Sequence, residues 1–209
     1  MTSTRLVMAT PNSRNDILVA RLRRRLLDLT IITITSREEL SLDNLKAINP
    51  EVVFFPHWSW IIPKEIYENF KCVIFHMTDL PYGRGGSPLQ NLIVRGHKQT
   101  MLSAIKCVAE LDAGAFYSKQ PLSLEGTAEE ILQRASTLME DMIVDIVINS
   151  PAPTPQTGEV VEFKRRRPDD GNIESLETIN QVYDYIRMLD AEGYPSAFLQ
   201  TSHFRLDLT

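Results

Sequence analysis

Residues 72–88 read CVIFHMTDLPYGRGGSP, and residues 110–114 read ELDAG. The first stretch delivers His76 from the end of an apolar, strand-like run into a loop rich in Pro and Gly. The second brings Asp112 after a further strand-like segment. A carboxylate that orients an imidazole also favours its protonated form, so such a pairing can build an acid/base site. A histidine after an apolar strand is, by itself, more often a hydrogen-bonded structural residue than a catalyst. The loop that follows shifts that reading. Leu80 to Pro88 has Gly and Pro where a tight, shaped turn needs them, sets Arg84 close to the imidazole, and is longer than a plain βα connection. The residues alone therefore read as a ligand-binding loop.

Outward from this loop, strand and helix signals alternate. Arg5–Ala9 is a short apolar run, and Ser13-Arg-Asn-Asp16 resembles a capping box opening a helix with Leu18, Leu22 and Leu26 on one face. Arg23, Arg24 and Arg25 fall in its last turn, where cations suit the dipole, and read as a solvated helix end. Strands are predicted at 28–35, 51–55 and 71–75, with 51–55 central, and a helical piece within 36–48. Pro88–Arg95 fits a helix with Pro in its first turn, and 100–108 and 115–124 fit two longer strands that can pair. Thr127-Ala-Glu-Glu130 opens the clearest helix, with Leu132, Ala135, Met139, Met142, Ile143 and Ile146 at helical spacing. A Pro-rich connector at 150–158 leads to a last helix near 175–191, with Leu176, Ile179, Val182, Tyr183, Ile186 and Leu189 on one face. A strand-like segment closes the chain at 203–208.

This alternation implies an α/β fold, a Rossmann-like and mostly parallel sheet with right-handed crossovers, followed by a short C-terminal subdomain. The expected division is 1–150 for the catalytic domain and 151–209 for the connector and a small segment packed on it. Ligands of such sheets bind outside the carboxyl ends of the strands, where His57 and His76 are expected. No Gly-x-Gly-x-x-Gly follows the first strand, so a dinucleotide site is not expected.

Composition narrows the function. The 209 residues suit one domain with a sizeable core, and 43 % hydrophobic with 23 % charged residues is ordinary for a globular protein. A net charge of −5 offers no general attraction to phosphate backbones, so a nucleic-acid substrate would need a local basic patch. Cys72 and Cys107 lack metal-knuckle or Cys-x-x-Cys spacing and read as reduced, buried small hydrophobes. No metal is implied. No apolar run approaches the roughly 20 residues of a membrane span and no signal-peptide core is visible, so the cytoplasm is the expected location.

His76, Thr78, Leu80, Pro81, Arg84, Gly85 and Pro88, followed by Leu111-Asp112-Ala113-Gly114, resemble the signature of the formyltransferases that use 10-formyltetrahydrofolate. The similarity covers about residues 50–150 well and extends more loosely to 195. That resemblance implies transfer of a formyl group from 10-formyltetrahydrofolate to an amine. His76 would stabilise the oxyanion and act as the acid/base partner, and Asp112 would orient it. It further implies folate contacts from Trp58, Trp60, Ile62, Leu80, Leu111 and Asp112, and acceptor contacts from Thr78, Arg84 and Gly85. The two Trp could form a flat stacking surface, with core packing the alternative.

One position departs from the family pattern. Ile74 stands where an asparagine normally supplies a second oxyanion donor, and loss of one such donor costs about 100- to 1000-fold in rate. Replacement by Asp79, Thr78 or His57 is the favoured reading. A slow enzyme or a binding protein of the same fold, and a formyl-folate hydrolase, stand as alternatives. Lys164-Arg165-Arg166-Arg167 could bind phosphate, but is read first as a strand end balanced by Asp169 and Asp170. Relatives usually continue past the position of Thr209, the tRNA-acting type into a barrel domain. The expected acceptor is therefore a small-molecule amine, best a nucleotide-linked amino sugar, with no nucleic acid and no membrane as partner, and with a homodimer left open.

Overall fold

The computed structural model describes residues 4–209, and in it the alternating apolar runs become strands and helices. In chain order these are β1 (Arg5–Ala9), α1 (Asp16–Arg25), β2 (Thr30–Ile34), α2 (Leu42–Ile48), β3 (Val52–Phe55), α3 (Lys64–Asn69), β4 (Cys72–His76), β5 (Tyr82–Gly85), α4 (Pro88–Val94), β6 (Gln99–Lys106), β7 (Phe116–Ser123), α5 (Ala128–Asn149), β8 (Val161–Phe163), α6 (Ile179–Arg187), β9 (Ala197–Gln200) and β10 (Arg205–Leu208). The central sheet has the order β2-β1-β3-β4-β6-β7. Its first four strands are parallel, with Leu6 opposite both Ile31 and Val52, and Val53 opposite Cys72. β6 and β7 run antiparallel, placing Ser103 between His76 and Lys119.

Strand alternation divides the core. Leu6, Met8, Phe54, Val73 and Phe75 face α1 and α5, whereas Val7, Ala9, Val53, Phe55 and Cys72 face Leu45 of α2 and Ile66 of α3. All four residues of β3 are buried, as a strand covered on both faces requires. The long α5 begins with the expected capping box: Thr127 Oγ1 accepts from the Glu130 N–H, and Glu130 Oε2 accepts from the Thr127 N–H. Its buried stripe includes Leu132, Ala135, Met139, Met142, Ile143 and Ile146, as the spacing predicts. No helix among the described residues is long and apolar enough to cross a membrane.

Four local expectations need correction. Asn12, not Ser13, makes the cap after β1: its side chain accepts from the Arg14 N–H and closes a 3-10 turn at Ser13–Asn15 before α1. The Arg cluster at the end of α1 is not wholly solvated, because Arg25 bonds Glu140 and Asp141 of α5 at 3.0 and 2.6 Å. The loop after β4 contains a strand, β5, which finds a parallel partner in β8 from far along the chain. The last helix is shorter than its apolar spacing suggests, and Ile179 and Tyr183 of α6 are exposed.

A buried polar chain ties β1, β3 and α5 together. Asn15 Nδ2 donates to Thr10 Oγ1 at 2.7 Å, and the Ser136 hydroxyl donates to Asn15 Oδ1 at 3.0 Å. Ser136 Oγ also lies 3.2 Å from His57 Nε2. His57 itself sits at φ +52°, just after β3. Burial, reinforced by the Arg14 guanidinium, lowers the His57 pKa from 6.5 to about 4. Between those values the unfolded chain takes up a proton that the native ring refuses. This contribution to stability is therefore complete above pH 6.5 and is lost as pH falls toward 4. Urea unfolding at pH 7.5 and 4.5 should show wild type losing about 2–3 kcal/mol more than His57→Gln. Equal losses in the two proteins would contradict the buried neutral ring.

Candidate active site

His76 is the last residue of β4, and its ring is held at both nitrogens. Nε2 lies 2.8 Å from the carbonyl oxygen of Gly83, and Nδ1 lies 3.6 Å from Asp112 Oδ2. A carbonyl only accepts, so Nε2 carries a hydrogen and Nδ1 is the ring nitrogen that faces Asp112. Both side chains are buried. Gly83 sits at φ +80°, and a Cβ there would run into the side chains of Thr78 and Phe163. Glycine is what lets its carbonyl reach the ring.

Asp112 reaches His76 by a sharp return of the chain. The antiparallel register carries β6 away from His76, so that the Cys107 N–H bonds the carbonyl of Cys72 at 2.9 Å. The loop then folds back over the sheet to place a carboxylate beside the imidazole. Asp112 adopts φ +51°, and Gly114 lies so close to the Lys106 carbonyl that no Cβ fits. The Gly of Leu-Asp-x-Gly thus has a steric cause. The Asp112 carboxylate is anchored at 2.9 Å by the backbone N–H of Gly85.

The pair lines a cavity of about 1200 Å³. Its apolar wall includes Trp58, Trp60, Ile61, Ile62 and Leu111, and its polar wall includes Arg84, Gly85 and residues 165–167. Of the sequence-predicted residues, His76, Asp112, Trp58, Trp60, Ile62, Leu111, Arg84 and Gly85 all come together there. Thr78 and Leu80 do not. Leu80 is buried in the core, and buried Thr78 donates to the Gly83 carbonyl at 3.3 Å, so both shape the loop instead of touching a ligand. Arg84 faces the cavity, but its guanidinium is committed to Glu110 at 2.7 Å and to Gln156. The tryptophans do not form one flat surface. Their rings meet edge-on at 75° and 4.8 Å, and Trp58 also meets Phe55 edge-on.

Ile74 projects from β4 two residues before His76 and lines the same cavity, where it donates nothing. Thr78 and Asp79 offer no free donor to that space. Thr78 is spent on Gly83, and the Asp79 carboxylate accepts from Lys119 Nζ at 2.6 Å and does not line the cavity, whereas His57 lines the cavity with its Nε2 3.2 Å from Ser136 Oγ. The reading of 164–167 as a strand end balanced by carboxylates is correct only for the backbone. Asp170 Oδ2 accepts from the Arg167 N–H at 2.7 Å, whereas no side chain of Arg165, Arg166 or Arg167 forms an ion pair among the described residues. All three line the cavity that holds His76. Gln156, in the Pro-rich connector, has no strand or helix pattern to mark it, yet both ends of its amide are engaged beside Asp112.

Comparison with known proteins places the chain in a family. The family model described as formyl transferase matches residues 27–147, and the one described as methionyl-tRNA formyltransferase, C-terminal domain, matches residues 168–209. A methionyl-tRNA formyltransferase of Thermodesulfovibrio yellowstonii is 27 % identical over 159 residues, covering 72 % of this chain and 52 % of that protein. The chain spans about half the length of the curated relatives it matches. A solved structure, methionyl-tRNA formyltransferase from Clostridium thermocellum, superposes with a TM-score of 0.94 at 48 % identity, covering 98 % of this chain and 91 % of that one. A sugar N-formyltransferase from Shewanella sp. FDAARGOS_354 shares the fold, with a TM-score of 0.73 at 16 % identity over 99 % of this chain and 97 % of that one. With its loop from His76 to Pro88, its returning Asp112 and a family model matched over more than half its length, the chain belongs to the formyl transferase family.

Proposed function

We propose that this chain transfers a formyl group from 10-formyltetrahydrofolate to an amine, with His76 and Asp112 as the acid/base pair. The observation that carries the reading is the His76 ring, held by its Nε2 hydrogen bond to Gly83 so that Nδ1 faces Asp112, beside a cavity lined by aromatic and apolar side chains. Trp58, Trp60, Ile62 and Leu111 are the side chains for the flat ring of the donor, and the cavity volume admits donor and acceptor together. The acceptor nitrogen attacks the formyl carbon and a C–N bond forms. His76 Nδ1 takes the proton that the nitrogen must lose, and the resulting imidazolium, balanced by Asp112, donates to the oxyanion. Collapse breaks the bond to the folate nitrogen, which leaves with that proton.

The acceptor is read from charge and kinship. Three unneutralised guanidinium groups on the cavity wall suit an amine whose carrier bears phosphate, despite the net charge of −5. Identity among relatives favours methionyl-tRNA as that carrier, which departs from the small-molecule acceptor expected from sequence. A nucleotide-linked amino sugar is the second reading, favoured by a sugar N-formyltransferase of almost the same extent.

Incubation with formyl-folate alone, with methionyl-tRNA and with a panel of nucleotide-linked amino sugars tests these readings. Formylated acceptor is the expected product. Formate without acceptor would point to a hydrolase, and tight folate binding without turnover to a binding protein. His76→Ala should lower kcat by about 100-fold or more, and unchanged turnover would remove His76 from the mechanism. Because Ile74 leaves the oxyanion with one fewer donor, Ile74→Asn should raise kcat about tenfold or more, measured under saturating substrates. A fall in kcat would mean that another group already fills that role.

A further inference from the structure

We propose that Gln156, on the Pro-rich connector, is a positioning residue that holds Asp112 against His76; the assignment rests on the formyl-transfer reading of this pair. The Gln156 amide uses its whole hydrogen-bonding capacity on two elements of the site. Its Nε2 donates to the carbonyl of Asp112 at 2.7 Å and to that of Gly114 at 2.9 Å. Its Oε1 accepts from Nε and Nη2 of Arg84 at 3.2 and 2.9 Å. The orientation is fixed by chemistry, because carbonyls only accept and a guanidinium only donates.

The consequence follows from what the loop lacks. Residues 107–115 belong to no strand or helix, and Asp112 sits in a left-handed conformation that a non-glycine residue keeps only when its surroundings impose it. Gln156 imposes it by clamping carbonyls on both sides of Ala113 and tying them to β5, whose Gly85 N–H holds the carboxylate. The connector carrying Gln156 is itself pinned, since Thr154 and Phe116 exchange both backbone hydrogen bonds at 2.8 Å. Nothing larger or smaller than Gln serves. Asn is too short to span the two groups, and Glu, which keeps size and the Arg84 contact, sets an acceptor against two carbonyls.

Gln156→Glu, with Gln156→Met as a second variant of similar length if the first folds poorly, tests the proposal against a role in stability alone. The first readout is independent of turnover: the ring ¹H and ¹⁵N resonances of His76 in each variant, in Asp112→Asn and in wild type. Displacement of the carboxylate should move the His76 resonances in the direction that Asp112→Asn moves them. Ring resonances identical to wild type would overturn the proposal. In the formyl-transfer assay, kcat should fall about 10- to 100-fold with KM for both substrates nearly unchanged, and the pH–rate profile should shift toward that of Asp112→Asn. Gln156→Glu should add little to Asp112→Asn, since both act through one carboxylate. Full additivity of the two losses would contradict positioning. Failure of wild type to formylate any acceptor would sink the functional reading, while the resonance comparison would still decide the role of Gln156.

Discussion

One hydrogen bond organises this site: the Nε2–H of His76 to the carbonyl of Gly83. It decides which ring nitrogen faces Asp112. Much of the local fold is arranged to keep it. The carbonyl is set by a glycine at positive φ, receives a second hydrogen bond from Thr78, and lies within β5, which is short and would be weak alone. β8 supplies the missing partner, with the Gly86 N–H donating to the Phe163 carbonyl at 3.1 Å. The segment after α5 is thus part of what holds the imidazole, although β8 starts 85 residues after His76 in the chain (161 − 76).

The second requirement is a carboxylate at Nδ1, and here the topology works against the chemistry. Antiparallel pairing sends β6 away from His76, and only a loop that doubles back can return Asp112 to it. Such a loop exposes carbonyls and needs a left-handed residue, so it must be braced from outside. Arg84 and Gln156 are bonded to each other beside that loop, and Arg84 also pairs with Glu110. The charged surface open to ligands is supplied by Arg165, Arg166 and Arg167.

What could be read from sequence followed the range of the physics involved. Strand and helix runs are local, so β1, β3, β4, the β6–β7 pair and α5 were legible, and with them the position of His76 at a strand end. The pairing of His76 with Asp112 was legible from the compound motif. Less visible were features that depend on distant contacts: β5 as a strand, the use of Thr78 and Leu80 as scaffold, and the edge-on packing of Trp58 and Trp60. Gln156 left no local trace because its partners are four atoms on two other segments. The charge of 164–167 was visible, but that Arg165, Arg166 and Arg167 form no ion pair among the described residues while the backbone is capped needed coordinates.

The tautomer of His76 is the most direct test of this account. Long-range ¹H–¹⁵N correlation on the folded protein, at a pH where the ring is neutral, distinguishes a hydrogen on Nε2 from one on Nδ1. The geometry predicts the hydrogen on Nε2, with Nδ1 showing the shift of an unprotonated nitrogen. A neutral ring protonated at Nδ1 would mean that the Gly83 carbonyl does not set the imidazole, and the proton path through Nδ1 would fall with it.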